Sequence, residues 1–125
     1  MERKLTKIDI ITRSSKLEEL KDALNEIGVL GMTVSQVYGC GLQRGHKEVY
    51  RGKEYDVNLV PKIKLETVVC EIPVEKVLEV AQKVLRTGKF GDGKIFVYEL
   101  TDAVRIRTGQ RGVEAIMDIP GEKPE

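Results

Sequence analysis

A chain of 125 residues, 41% of them apolar, is long enough for one compact domain and too apolar to stay disordered. Its 21 basic and 20 acidic residues leave a net charge of +1, so no global field draws it to nucleic acid. Aromatic residues make up 5% and Trp is absent, which leaves little on which single-stranded bases could stack.

In chain order, residues 4–12 carry the β-branched cluster Ile8, Ile10 and Ile11 and predict a strand. Ser15 and Glu18 form a capping-box pattern, and Leu17, Leu20, Leu24 and Ile27 recur at helical spacing until Gly28 ends the helix. Residues 33–41 favour a strand, with Gly39 and Gly41 marking a backbone that something approaches closely. From 42 to 56 the apolar pattern disappears into a polar, glycine-punctuated run, the kind of long structureless segment that tends to be functional.

Ile63, Leu65, Thr67 and Val69 alternate with Lys62, Lys64, Glu66 and Val68, a plain strand pattern with Pro61 near its start. Pro73 suits the first turn of a second helix, whose apolar stripe is Val74, Val77, Leu78, Ala81, Val84 and Leu85. A glycine-rich loop follows over 88–94, then a strand over 95–100. The chain reads as irregular from Thr101 and as a frayed tail over 120–125.

Strand, helix, strand, strand, helix, strand predicts an α+β, ferredoxin-like βαββαβ sandwich with a long loop between its second and third strands. Residues 1–119 form one domain on this reading. Two helices cannot cover both faces of the sheet, so self-association is expected. The two cysteines, Cys40 and Cys70, lack metal-site spacing and read as half-buried thiols. No apolar leader opens the sequence and no stretch approaches the ~20 apolar residues of a bilayer span, so a cytoplasmic domain is expected.

Three constellations could carry chemistry. Gly88 to Lys94 matches G-x-x-x-x-G-K, but Ile95 stands where a P-loop needs Ser or Thr, and the loop joins helix to strand rather than strand to helix. Its glycines could still turn several N–H groups on one anion, with Lys94 adding charge. Asp92-Gly93 is equally an ordinary turn dipeptide, so cradle and plain turn both fit. Arg105 and Arg107, if extended, would share a face and could clamp a polyphosphate, or be a solvated pair. Tyr50 and Tyr55 sit in the polar loop, suited to partner contact or modification, or merely incidental there. His46, the one histidine, has no ligand partner nearby. No nucleophile–base arrangement is readable, which favours a binding protein over an enzyme.

These stretches together resemble the PII signal-transduction family of nitrogen-regulatory proteins, the GlnB and GlnK types. The resemblance is carried by Gly31-Met32-Thr33-Val34, Gln43-Arg44-Gly45-His46, Tyr50-Arg51-Gly52-Lys53-Glu54-Tyr55, Val60-Pro61-Lys62-Ile63-Lys64-Leu65-Glu66, the run from Thr87 to Phe96, and Arg105-Ile106-Arg107-Thr108-Gly109. It implies a homotrimer that binds ATP or ADP in clefts between subunits. By similarity Gly91, Asp92, Gly93 and Lys94 would cradle the phosphates, Arg105 and Arg107 would reach them, and Ile11, Thr33, Gly41 and Val68 would adjoin the nucleotide. Gln43 would ligate Mg²⁺ and 2-oxoglutarate, and Lys62 would pair with a carboxylate of the keto acid.

The resemblance further implies a mobile loop over about 41–58 that addresses partners. Arg51 and Tyr55 align with the residues that in relatives enter an ammonium-transporter pore and are uridylylated. Candidate partners by family are an ammonium transporter, glutamine synthetase or a nitrogen-regulatory enzyme. The sequence departs from many relatives at Arg13-Ser14-Ser15, where Lys-Pro-Phe is frequent, at Leu42, where an arginine often contacts phosphate, and at Cys40. An ATP/ADP-only sensor of a divergent branch, or a weak nucleotide-hydrolysing enzyme on the same fold, is the alternative.

Overall fold

The computed structural model describes residues 4–40, 48–50, 53–55 and 59–117, with backbone alone for the two short central segments. In chain order the elements are β1 (Leu5–Arg13), α1 (Leu17–Glu26), β2 (Thr33–Cys40), β3 (Glu48–Tyr50), β4 (Lys53–Tyr55), β5 (Leu59–Val69), α2 (Val74–Leu85), β6 (Lys94–Leu100) and α3 (Val113–Ile116). Four strands form one antiparallel sheet in the order β2-β5-β1-β6. This is the expected ferredoxin-like α+β arrangement.

Alternation along the strands divides the sheet into two faces. Ile8 and Ile10 of β1 and Ile63, Leu65 and Val69 of β5 point to one side, where Leu20 and Leu24 of α1 and Val77, Ala81 and Leu85 of α2 close the core. Burying each large apolar side chain contributes roughly 1.5–3 kcal/mol. The other face carries Lys7, Asp9, Ile11 and Arg13 opposite Val68, Glu66, Lys64 and Lys62. No helix covers it.

That uncovered face holds an ion network. Lys7 Nζ lies 3.0 Å from Glu66 Oε1 and 3.5 Å from Asp9 Oδ1, and Lys64 Nζ lies 3.7 Å from Asp9 Oδ2. Asp9 is only 1% exposed, and its Oδ1 accepts no hydrogen bond. On β6, Phe96 pairs in register with Asp9 and Tyr98 with Lys7, and both rings remain exposed.

Several local readings change. The Ser15–Glu18 capping box does not form: Ser14–Lys16 make a single 3₁₀ turn and Lys16 caps α1 without a side-chain hydrogen bond. β5 begins at Leu59, four residues ahead of Ile63. Pro61 is tolerated there because β1 reaches only to Arg13↔Lys62, so that stretch pairs with β2 alone. The polar run read as structureless contains a hairpin, with Glu48↔Tyr55, Val49↔Glu54 and Tyr50↔Lys53 in register. The tail read as irregular includes α3 and a bridge between Val104 and Arg111. Cys40 is exposed rather than half-buried.

Candidate functional site

The glycine-rich loop leaves α2 and enters β6, and it is built around one carboxylate. Asp92 accepts from the Thr87 hydroxyl, from the Thr87 N–H at 2.8 Å, from the Gly88 N–H at 2.9 Å and from Arg13 Nη1 at 2.6 Å. The Thr87 hydroxyl, then the Thr87 N–H, the Arg13 guanidinium and the Gly88 N–H hold the Asp92 carboxyl well below the usual carboxylate range. Gly88, Gly91 and Gly93 all have positive φ, and Gly93 at +105° also lies hard against β1.

Three successive loop carbonyls are held from the strand side. Arg13 Nη2 donates to the Phe90 carbonyl at 2.6 Å, Lys62 Nζ to the Gly91 carbonyl at 2.9 Å, and the Thr12 hydroxyl to the Asp92 carbonyl at 2.8 Å. Beside the loop is a hollow of about 370 Å³ lined in part by Ile11, Arg86, Gly88, Asp92, Gly93 and Lys94. Ile11 and Lys94 face each other in the β1–β6 register.

A second, larger hollow of about 700 Å³ lies at the far end of β5. It is lined by Gly31, Thr33, Glu66, Val68 and Arg105, with the C-terminal residues Ala115 to Met117. Val68 pairs with Lys7, four residues from Ile11 along β1, so the hollows lie roughly 13 Å apart along the strands at ~3.3 Å per residue. The chain thus divides the expected nucleotide residues into two groups: Ile11, Asp92, Gly93 and Lys94 at one hollow, Thr33, Val68 and Arg105 at the other.

The arginine pair is not extended. Residues 106–108 form a turn, leaving Ile106 98% exposed. Arg105 is buried, and its guanidinium donates to the Ala115 carbonyl at 3.2 Å, to Gln110 Oε1 at 3.3 Å and to the Met117 carbonyl. It anchors the C-terminal segment to the main body. Arg107 sits exposed on the turn. Nearby, Arg111 pairs with Asp102, whose carboxyl is held below its ordinary value mainly by that hydrogen bond.

Gly41, Gln43 and Arg51 lie outside the described residues, as do Leu42 and His46. Tyr50 and Tyr55 fall in β3 and β4, where the backbone register places Tyr50 opposite Lys53 and Tyr55 opposite Glu48. Reasoning from sequence missed Thr12 and Thr87 and gave Arg13 no role beyond marking a departure from relatives. A short hydroxyl or a lone arginine at a strand end has no periodic signature, so nothing local marks it.

Among the described residues, no helix is long and apolar enough to cross a membrane, and no group of three or more His, Cys, Asp or Glu could hold a metal ion.

Comparison with known proteins agrees with this architecture. Residues 5–110 match the family model described as nitrogen regulatory protein P-II. The chain is 50% identical over 112 residues to the nitrogen regulatory protein P-II of Rhodospirillum rubrum, spanning 90% of this chain and all of that one. It is 47% identical over 116 residues to the nitrogen regulatory PII-like protein of Bacillus subtilis, spanning 93% of this chain and all of the relative. Its fold superposes on the B. subtilis GlnK–ATP complex with a TM-score of 0.76, at 45% identity over 90% of this chain and 97% of that one. With a family model spanning most of its length and relatives at half identity over their whole length, the chain belongs to the nitrogen regulatory protein P-II family.

Proposed function

We propose that this chain is a nitrogen-regulatory signal-transduction protein that binds ATP or ADP between the protomers of a homotrimer and controls other proteins through its 41–58 loop. The observation that carries the reading is the division of the nucleotide residues between two hollows on one protomer. A neighbouring copy that sets its Val68 hollow against the Lys94 hollow would complete one site. The uncovered sheet face supports such assembly, because it carries exposed Phe96 and Tyr98 around a near-buried Asp9.

In the completed site, Lys94 and the loop N–H groups would meet phosphate charge. Arg107 would approach from the other copy. Arg105 would hold the segment that closes the second hollow, with its own approach to phosphate set by how much of its donor fork Met117 and Ala115 occupy. Ile11 and Val68 would enclose the base by apolar contact, beside Thr33 and Gly41. Mg²⁺ would arrive with ATP and be ligated by Gln43. Gln43 and Lys62 would then take 2-oxoglutarate, whose two negative charges need that compensation. The loop would pass the ligand state to a cytoplasmic partner, or to a membrane one such as an ammonium transporter, with Arg51, Tyr50 and Tyr55 as contact or modification points.

A regulator fits better than a nucleotide-hydrolysing enzyme. Asp92, the carboxylate nearest the expected phosphates, accepts four hydrogen bonds and is a poor general base. One observation favours an adenylate-only sensor as the second reading: the Lys62 amine already donates to the Gly91 carbonyl.

Calorimetric titration with ATP and Mg²⁺, with and without 2-oxoglutarate, tests the reading. Binding of ATP, and of 2-oxoglutarate only when ATP and Mg²⁺ are present, is the expected result. ATP binding without any response to 2-oxoglutarate would select the adenylate-only sensor. Steady multiple turnover of ATP would instead establish an enzyme.

A further inference from the structure

We infer that Arg13 is a positioning residue that, with Thr12 and Lys62, sets the anion-binding shape of the glycine-rich loop by holding its carbonyls against the strands. The inference rests on the nucleotide reading above and deepens it. Arg13, Thr12 and Lys62 take the carbonyls of Phe90, Asp92 and Gly91 in turn. The described chain contains no cis peptide, and in a trans peptide the N–H of the next residue points opposite to the carbonyl. With carbonyls 90, 91 and 92 turned toward β1 and β5, the N–H groups of Gly91, Asp92 and Gly93 turn away from the strands. Three consecutive donors on one side of a short loop form a concave anion cradle.

The same contacts assign Asp92 a part other than contact with phosphate. Its carboxylate would repel an anion if it faced one. It is instead drawn inward by Thr87, Gly88 and Arg13, which closes the loop into a ring. Arg13 joins both halves of the device. One nitrogen of its guanidinium holds the Asp92 carboxylate and the other holds the Phe90 carbonyl, a two-point grip suited to a planar fork. A Cβ on residue 91 would stand 3.0 Å from Arg13 Nη2, so a side chain there would press on the grip, on top of the strain of a φ of +96°. A lysine at this position would offer one point of attachment where arginine offers two.

The test compares Arg13→Ala, Arg13→Lys and Thr12→Val with the unaltered full-length chain. ATP, ADP, AMP and adenosine are each titrated calorimetrically, and amide hydrogen exchange of 88–93 is measured without ligand. Arg13→Ala should weaken ATP by on the order of tenfold or more, as for loss of a charge-assisted contact. The loss should shrink from ATP to ADP to AMP and vanish for adenosine. Arg13→Lys should fall between, Thr12→Val should show a smaller loss of the same grading, and loop exchange should quicken in the order of those losses. Unchanged ATP affinity together with unchanged loop exchange in Arg13→Ala would overturn the inference. So would an equal loss for adenosine and ATP, which would mark a general structural defect. If the unaltered chain binds no nucleotide, the functional reading fails by itself, and loop exchange in the variants still decides whether Arg13 shapes the loop.

Discussion

The backbone of Gly93 lies so close to β1 that a Cβ added there would stand 1.9 Å from the carbonyl oxygen of Ile11. This contact seats the loop on the strand at the edge of the smaller hollow. Gly93→Ala adds both that clash and an unfavourable φ, and should destabilise the fold by on the order of 2–4 kcal/mol. Gly88→Ala meets no atom within 4 Å and carries only the φ penalty, so it should cost about 1 kcal/mol. Urea unfolding of both variants measures the difference, and equal midpoints would show that the close approach is relieved elsewhere.

Arg105 should behave as an anchor before it behaves as a phosphate ligand. Its guanidinium holds the carbonyls of Ala115 and Met117, at the end of the described chain. Arg105→Gln should cost roughly 1–3 kcal/mol and raise amide exchange over 113–117 without any nucleotide present. Retained protection over 113–117 would place the anchor in other contacts.

The open sheet face makes a prediction about charge. Asp9 is buried between two lysines that are themselves partly exposed. Asp9→Ala would leave Lys7 and Lys64 sharing Glu66 as a counter-ion, and should destabilise by about 2 kcal/mol, below the value for a fully buried pair. Light scattering should show weaker self-association as well. Adding Lys64→Met should restore part of both. If the double variant is no better than Asp9→Ala, the network is not what the face depends on.

Asp92 gives a pH dependence of defined sign. Its folded pKa is depressed, so it stabilises the fold at every pH above its unfolded value near ~3.9. That contribution declines as pH falls below that value and is gone once the folded carboxylate protonates. Nothing should therefore change at this group between neutral pH and about 4. NMR titration of the Asp92 carboxyl carbon should find it ionised throughout that range, and Asp92→Asn should flatten the acid limb of the stability curve. A midpoint in the ordinary carboxylate range would mean that the ring of donors does not persist in solution.

Much of the scaffold was legible because its signals are periodic. The stripe Leu17, Leu20, Leu24 placed α1, the stripe from Val74 to Leu85 placed α2, and alternation through Ile63, Leu65, Thr67 and Val69 placed most of β5. Features set by tertiary contact were not legible. The first residues of β5 are extended because β2 pairs with them, the Glu48–Tyr55 hairpin has no apolar alternation, and α3 is one turn packed near Arg105. At the site, the motif Gly91-Asp92-Gly93-Lys94 was plain, yet one of the donors that turn Asp92 inward is Arg13, 79 residues away. No local pattern encodes a partner at that distance.

The central claim, a nucleotide site shared between copies, is tested most directly by mixing two variants broken in different halves. Lys94→Ala disables the loop hollow and Val68→Glu disables the other. Each should form trimers that bind no ATP by calorimetry. Co-refolded mixed trimers should regain ATP binding, because some interfaces then join an intact Lys94 half to an intact Val68 half. Mixed trimers, verified by native mass spectrometry, that bind no more ATP than either parent would contradict a site built from two protomers.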